Sequence, residues 1–361
     1  MRILQLGKFY PILGGVEKVM YDLMSGLSAR GIDCDMLCTT AEPEKSNTIV
    51  LNQHASVYAC RTLLKAAATT LSPSLILRLR NICKSYDIIH VHHPDPMAAL
   101  ALMLSGYKGK IVLHWHSDIL KQKTLLKFYK LIQNWLIKRA DKIVGTTPVY
   151  VAMSPYLRSV QDKVTYLPIG ITPMNPDPAS VADFRARYPD RKIVLSIGRQ
   201  VPYKGYRYLI QAAQFLPDDY LILIGGGGPL KEEHQTLIDN LGVADKVKLL
   251  GFVPDELMPT LYGACDLFCL SSVQKTEAFA IVQIEAMSCG KPVVATKIPE
   301  SGVSWVNADG ESGINVEIEN PKALAEAILT IEDPQNYQRF SSGALRRFDE
   351  NFRDNRMIDG C

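Results

Sequence analysis

Short apolar runs rich in β-branched residues alternate with longer amphipathic stretches along this chain, and the whole alternation occurs twice. Arg2–Leu6 reads as a strand. Gly15–Ala29 reads as a helix, with Val16, Val19, Met20, Leu23 and Leu27 recurring on one face, and Gly31 stops it before a strand at Cys34–Cys38. Ile88–His92, Lys110–His114 and Lys142–Thr146 follow as strands with helical patterns between them. Then comes Leu167-Pro168-Ile169-Gly170-Ile171-Thr172-Pro173-Met174-Asn175-Pro176-Asp177-Pro178, whose prolines can neither continue a helix nor sit in a central strand, so it reads as a linker. The pattern restarts with strands at Lys192–Ile197, Tyr220–Ile224, Val247–Gly251, Leu267–Leu270 and Pro292–Ala295. Helices at Tyr206–Gln214, Leu230–Leu241, Asp255–Cys265 and Val282–Ser288 are interleaved with them.

Strands alternating with helices predict parallel sheets covered on both faces. The fold class expected is therefore α/β, with two Rossmann-like doubly wound parallel-sheet domains in series, spanning 1–172 and 173–340 and facing across a cleft. Residues 341–361 form a helical tail expected to pack back toward the first domain. Ligands in such folds gather at the carboxyl ends of the strands.

Composition adds two points. No apolar run reaches the roughly 18–20 residues of a membrane-spanning helix, and Met1–Leu6 lacks the long apolar region of a signal peptide, so a cytoplasmic protein is expected. The eight cysteines are dispersed with no C-x-x-C pair, and they read as small buried hydrophobes. Charge is uneven. Residues 1–172 carry 21 Lys and Arg against 11 Asp and Glu, a net +10, whereas residues 173–361 carry 19 against 26, a net −7. A basic first half suits an anionic membrane surface. Nucleic acid is not expected as a partner, because no helix-turn-helix, zinc finger or aromatic-rich basic motif is present.

The densest chemistry lies in the second half. A strand ends in Ser196-Ile197-Gly198-Arg199, and Lys204-Gly205 follows after four residues. An Arg and a Lys at that spacing can converge on a diphosphate, the Arg binding two oxygens and the Lys acting as a point charge. Taken alone, the segment is equally consistent with a solvated loop. Glu277 and Glu285 are eight apart, about 80° around a helix, so they do not quite share a face. If the helix begins after Glu277, that residue stands on the entry loop and Glu285 points from the helix, where a carboxylate can accept from a ribose diol. The helix N-terminus offers free N–H groups to phosphate or sugar oxygens. Two solvated acids on an amphipathic helix is the bland alternative.

Together these residues resemble glycosyltransferase family 4 of the two-lobed GT-B architecture. The likeness is carried by Gly-Arg-x-x-x-x-Lys-Gly, by Glu-x7-Glu continuing as Glu285-Ala286-Met287 through Gly290-Lys291-Pro292-Val293-Val294-Ala295, and by Gly14-Gly15-Val16-Glu17 after the first strand. It spans nearly the whole chain, and the chain resembles bacterial polysaccharide and O-antigen assembly transferases in general character. The resemblance implies that Arg199 and Lys204 neutralise the diphosphate of a nucleotide sugar as it departs. It implies that Glu285 holds the ribose, that Glu277 contacts the donor sugar, and that the backbone of Ala278, Phe279, Ala280 and Ile281 passes close to sugar and phosphate. Gly15 would bring backbone N–H groups onto the diphosphate, and Gly251-Phe252-Val253 would flank the base. His116, in His114-Trp115-His116-Ser117-Asp118, would contact the donor sugar near the reacting centre. Ala280 departs from the family, which often has Gly there.

The other histidines, His90, His92 and His93 with His114, raise metal binding as an alternative, but no nearby Cys or Glu completes a site. The family needs no metal, so none is expected, and no cofactor beyond the nucleotide-sugar co-substrate. His92 and Asp95 are weaker candidates for acceptor contact. Asp33-Cys34-Asp35 mimics the acid-x-acid metal clamp of another architecture, and Gly225–Gly228 mimics a phosphate cradle without its Lys-Ser/Thr. The basic stretch Ile119–Arg139, with Lys121, Lys123, Lys127, Lys130, Lys138 and Arg139 among apolar residues, can lie on an anionic bilayer or be a packed helix with snorkelling lysines.

The resemblance thus implies retaining transfer of a hexose, mannose from GDP-mannose first, to a lipid-linked glycan at the inner face of the cytoplasmic membrane. A UDP-hexose or UDP-N-acetylhexosamine donor is the alternative. A two-lobed sugar-nucleotide epimerase lacks this Glu-x7-Glu context, a nicotinamide oxidoreductase would need an absent glycine fingerprint, and a scaffold would be expected to have lost Arg199, Lys204 or Glu285. Lys204→Ala and Glu277→Ala are each expected to abolish most transfer and leave the fold intact.

Overall fold

The computed structural model describes residues 1–12, 14–66, 69–119 and 123–361. Two compact units divide the chain: residues 1–169 with 354–361, and residues 170–353.

The first unit contains β1 (Arg2–Tyr10), β2 (Asp33–Thr40), β3 (Asn47–Asn52), β4 (Ala55–Cys60), β5 (Leu64–Ala66), β6 (Thr69–Leu71), β7 (Ile88–His93), β8 (Lys110–Trp115), β9 (Lys142–Gly145) and β10 (Val164–Tyr166). Eight of these form one sheet in the order β10-β9-β8-β7-β1-β2-β4-β3. Every pairing in it is parallel except β3 against β4, while β5 and β6 make a separate antiparallel ribbon. The edge hairpin β3–β4 carries no helical spacer, which is why it breaks the parallel pattern. The helix Val16–Ala29 buries Val19, Met20, Leu23, Met24 and Leu27 on one face, as its periodicity predicts.

The second unit contains β11 (Lys192–Ile197), β12 (Tyr220–Gly225), β13 (Val247–Gly251), β14 (Leu267–Leu270), β15 (Val293–Thr296) and β16 (Gly313–Val316). They form an all-parallel sheet in the order β13-β12-β11-β14-β15-β16. Strands β11, β12 and β14 are buried along their whole length or nearly so, as expected for strands covered on both faces.

In each sheet the chain reverses direction of build beside one strand: β1 lies between β2 and β7, and β11 lies between β12 and β14. The space outside the carboxyl ends at such a reversal is where ligands bind in doubly wound folds. In the second unit it is flanked by Gly198-Arg199 after β11 and Ser271-Ser272 after β14.

The boundaries differ from the sequence reading in two respects. The first break falls after residue 169 rather than 172. Of the tail expected over 341–361, residues 341–353 fall in the second unit and 354–361 in the first. Residue 340 lies inside one helix, Pro334–Asn351, capped at its start by the Asp333 carboxylate and belonging to the second unit. Only the short helix Asp354–Gly360 and Cys361 join the first. Phe340, Ala344 and Phe348 recur on one buried face, so the helix has no physical reason to stop at 340.

Of the basic stretch Ile119–Arg139, Lys121 and the side chains of Lys123, Leu125, Leu126, Lys127 and Phe128 lie outside the described residues. In the described part of the helix Lys123–Arg139, Tyr129, Gln133, Leu136 and Ile137 are buried while Lys130, Leu131 and Lys138 are exposed. That part is a packed helix. No helix among the described residues is long and apolar enough to cross a membrane. The cysteines are unpaired. Six are buried, and burial pushes the Cys34 and Cys60 thiols up, to about 12 and about 11, so they behave as hydrophobes.

Candidate active site

In the second unit the carboxyl end of β11 runs into a tight loop that brings Lys204 back beneath Gly198. Gly205 sits at φ 64°, and a side chain there would run into the Ser271 carbonyl oxygen, so Lys204-Gly205 turns hard against the end of β14. The Ser271 hydroxyl donates to the Lys204 carbonyl at 3.0 Å and locks that contact.

Lys204 Nζ lies 2.5 Å from Glu277 Oε2, and both side chains are 10% exposed. The Ser272 hydroxyl donates to the same Oε2 at 2.9 Å. The other oxygen, Oε1, has no partner among the described residues. Burial works against the Lys204 charge, but the Glu277 carboxylate, with the Tyr206 and Tyr203 hydroxyls, outweighs it and holds the ammonium pKa above the ordinary lysine value. Lys204 is therefore a fixed cation throughout the neutral range. Its ammonium sits 5.7 Å from the centre of the Tyr203 ring. Arg199 stands on the same loop, exposed and without an ion-pair partner among the described residues. A guanidinium that nothing claims is available to an anion.

A methyl group on Gly198 would come within 3.1 Å of Lys204 Cε and 3.2 Å of Nζ. Gly198→Ala is expected to displace the ammonium, lowering kcat roughly tenfold or more and stability by about 1–3 kcal/mol. Steady-state rates and thermal melts check this, and an unchanged kcat would detach Lys204 from catalysis.

Glu277 is on the loop before the helix Ile281–Ser288, one of the two placements left open by the sequence, and Glu285 is on the helix. Glu285 Oε2 accepts from the Tyr262 hydroxyl at 2.6 Å. Burial, then the carboxylate itself, drives the Tyr262 pKa far up, so this tyrosine stays a donor and orients Glu285. Ala280 caps the helix at φ 62°, ψ 78°, the left-handed region that favours glycine. An L-residue there costs about 1 kcal/mol, which explains a glycine preference at this position on backbone grounds. Ala278, Phe279 and Ala280 are buried. Phe279 packs edge-on against Phe352, so its ring is core and only its backbone is placed to meet a ligand. Phe252 is 82% exposed after β13, a free aromatic face, while Val253 is half-buried against Gly225. Within the run Gly225–Gly228, Gly226 and Gly228 pack on neighbouring backbone, and side chains there would strike Gly198 and Gln200.

In the first unit Gly15 sits at φ 65° as the cap of Val16–Ala29, with open space where a side chain would project. His116 follows β8, its N–H bonded to the His93 carbonyl at 3.0 Å, so the ladder continues one residue beyond the strand. Its loop is pinned by Asp118, whose Oδ1 accepts from Trp115 Nε1 at 2.9 Å and from the Ser154 hydroxyl at 2.7 Å.

Two weaker candidates are corrected. His92 is fully buried, bonded to Gln5 and to His116, and out of reach of an acceptor. Asp95 caps the helix Pro96–Ser105 through Ala98 N–H and accepts from Lys8 N–H, so both its oxygens are used. His90, His92 and His114 place one nitrogen each within 4.8 Å of one another. Their rings lie in near-parallel planes, with centroids 4.7–5.3 Å apart. Lone pairs in near-parallel planes do not converge on one ion at about 2.0–2.1 Å. Asp33 and Asp35 are taken up by His54 and by Arg2 with Tyr86.

Sequence reasoning did not find Tyr262, Ser272, Gln5 or Asp118, each of which orients a residue it did find. None carries a motif of its own.

Two Rossmann-like parallel sheets, each with its polar motifs at the strand ends, define the GT-B fold. Residues 182–347 match the family model described as glycosyl transferases group 1, and residues 13–173 match glycosyltransferase family 4. The chain is 32% identical to O-antigen chain mannosyltransferase C of Escherichia coli, covering 99% of this chain and 96% of that one. It is 30% identical to the D-rhamnosyltransferase WbpZ of Pseudomonas aeruginosa, covering 98% and 92%. HepE of Anabaena, solved with UDP and glucose, superposes with a TM-score of 0.79 at 22% identity over 100% of this chain and 98% of that one, a likeness of fold. The chain belongs to glycosyltransferase family 4 and is a hexosyltransferase.

Proposed function

We propose that this enzyme transfers mannose, with retention, from GDP-mannose to a lipid-linked glycan during assembly of a cell-surface polysaccharide. The single observation that carries the reading of the donor site is the buried Lys204–Glu277 pair at the reversal point of the second sheet, on the same loop as Arg199, which has no ion-pair partner among the described residues. Lys204 and Arg199 take up the charge that develops on the departing diphosphate. A fixed cation in a low-dielectric setting stabilises that charge without reorganising. Glu277 Oε1 accepts from a hydroxyl of the donor sugar, and Glu285, aimed by Tyr262, accepts from the ribose. The first N–H groups of the helix Ile281–Ser288, which have no partner within the helix, face phosphate or sugar oxygens. Phe252 lies against the base beside Val253. In the first unit, Gly15 offers backbone N–H groups to the diphosphate and His116 contacts the sugar.

No carboxylate is assigned as a nucleophile. The acceptor attacks on the face the nucleotide leaves, and a leaving-group phosphate oxygen assists its deprotonation. The choice of mannose is supported by the name of the Escherichia coli relative. The +10 charge of residues 1–172 supports binding to the anionic inner face of the cytoplasmic membrane.

A panel of radiolabelled GDP- and UDP-sugars with a polyprenyl-diphosphate-linked glycan tests the reading. GDP-mannose is expected to be used best, with product of unchanged anomeric configuration and with little effect of chelator. Preference for a UDP-sugar replaces the donor, inversion removes the front-face mechanism, and conversion of donor without acceptor replaces transfer by epimerisation. Complete, metal-reversible loss in chelator would make metal a participant. Co-sedimentation with anionic but not neutral vesicles is expected, and equal binding to neither would remove the membrane from the scheme.

A further inference from the structure

His90, His92, His114 and His116 form one cluster of near-parallel rings in the first unit, with ring centroids 4.1 Å apart for His114–His116 and 5.1 Å for His92–His116. All four are buried, and burial keeps each of them neutral at ordinary pH. A neutral imidazole has one N–H and one lone pair. A hydrogen-bond chain that passes through such rings therefore has a single polarity from end to end, set by whatever group terminates it.

That chain is present. His92 Nδ1 lies 2.8 Å from His116 Nε2, and His92 Nε2 lies 2.7 Å from Gln5 Oε1. The amide Nε2 of Gln5 is turned the other way, toward Cys34 Sγ at 3.7 Å, and the carbonyl oxygen is the atom placed against His92. A carbonyl oxygen only accepts. His92 must then carry its proton on Nε2 and accept at Nδ1, and His116 must carry its proton on Nε2. This leaves His116 Nδ1 as a bare lone pair, and it has no partner among the described residues. Gln5 is wholly buried in β1, flanked by Leu4 and Leu6. A buried amide is costly unless bonded, and a leucine would fill the place more cheaply if packing were the only demand.

We infer that Gln5 is a positioning residue: acting through His92, it fixes His116 in the Nε2–H form and so presents Nδ1 as a hydrogen-bond acceptor for a sugar hydroxyl. The assignment rests on the reading of His116 as the sugar-contacting residue of the first unit.

The test uses the full chain labelled with 15N-histidine, with two-bond 1H–15N correlations assigned by comparison with His116→Phe. Wild type is expected to show His116 protonated at Nε2 and bare at Nδ1. Gln5→Met, of similar bulk but with no acceptor, is expected to give mixed tautomers at His116. Its kcat should fall roughly tenfold, the worth of one well-aimed hydrogen bond, with the KM for donor within about twofold. Gln5→Glu keeps an acceptor oxygen and is expected to recover both the tautomer and most of kcat. A residue serving only to fill the core would leave the tautomer unmoved. If His116→Phe transfers sugar like wild type, the role of His116 falls and this inference falls with it. If His116→Phe is inactive while Gln5→Met keeps a pure tautomer or full kcat, only the role of Gln5 falls. Should Gln5→Met not fold, the wild-type spectrum decides, since a proton on His116 Nδ1 overturns the assignment.

Discussion

Below about pH 6.5 the first unit is expected to lose stability steeply, and by about pH 5.5 to unfold. His90, His92, His93, His114 and His116 are all buried there, and burial lowers the pKa of each, His90 to about 4 and His93 to about 3. The sign follows from linkage. An unfolded histidine takes up its proton near 6.5 while the folded one refuses it, so the unfolded state binds more protons as pH falls. No penalty exists above the unfolded pKa, and it grows from there down to the folded values. One unit below 6.5 each such residue costs about 1.4 kcal/mol, and the five together about 7 kcal/mol, comparable with the whole stability of a domain. Glu17 and Asp22, whose pKa values burial raises, act in the opposite sense but nearer the carboxylate range. Urea titrations at successive pH values, followed through the buried Trp115, measure the effect. An unfolding free energy unchanged between about pH 7.5 and 5.5 would show that these rings reach water or protonate in place.

Lys204→Ala is expected to damage the protein twice. Turnover should fall by about 10²–10³, the scale for losing one fixed group that stabilises developing charge. Stability should also fall, by roughly 3–5 kcal/mol, because Glu277 is left without a counter-charge, with only the Ser272 hydroxyl as partner, in a site where it is only 10% exposed. This revises the expectation drawn from sequence, which had the fold survive intact; a motif read as two loop residues gives no sign that its lysine is clamped to a glutamate 73 positions away. The double variant Lys204→Met with Glu277→Gln separates the two effects. Removing both charges should restore most of the stability and none of the turnover. Arg199→Ala, by contrast, removes an exposed guanidinium and should change stability by no more than about 0.5 kcal/mol while weakening use of the donor. A Lys204→Ala protein with wild-type turnover would remove the ammonium from the mechanism, and one that melts like wild type would mean the pair is solvated.

The parallel sheets were legible because period and length coincide in them. Val247–Gly251 and Leu267–Leu270 are strands over the very residues whose apolar pattern marked them, and the helix expected at Val282–Ser288 spans Ile281–Ser288, which leaves Glu277 on the entry loop. The first unit was harder to read. β3 is largely exposed and pairs antiparallel with β4, so its residues show neither a buried run nor a clean alternation. Within the site, motif residues were found through their spacing, whereas their partners were hidden by distance along the chain. Tyr262 precedes Glu285 by 23 positions, and Gln5 precedes His92 by 87. Nothing local distinguishes either from an ordinary strand or helix residue, and only the register of β1 against β7 brings Gln5 beside the histidines.

The return of residues 354–361 to the first unit sets an order on its biogenesis. Ile358 packs among the apolar residues around Met20, Met24 and Leu27, in the gap left by the missing side chain of Gly26, and Arg30 pairs with Asp359 at 2.5 Å. On a ribosome, every residue of the second unit is synthesised before the piece that completes the first. The amino-terminal sheet must therefore wait with that strip of its helix Val16–Ala29 uncovered, and a chain cut short just before Asp354 would carry a finished second unit beside a first one still open to chaperones and proteases.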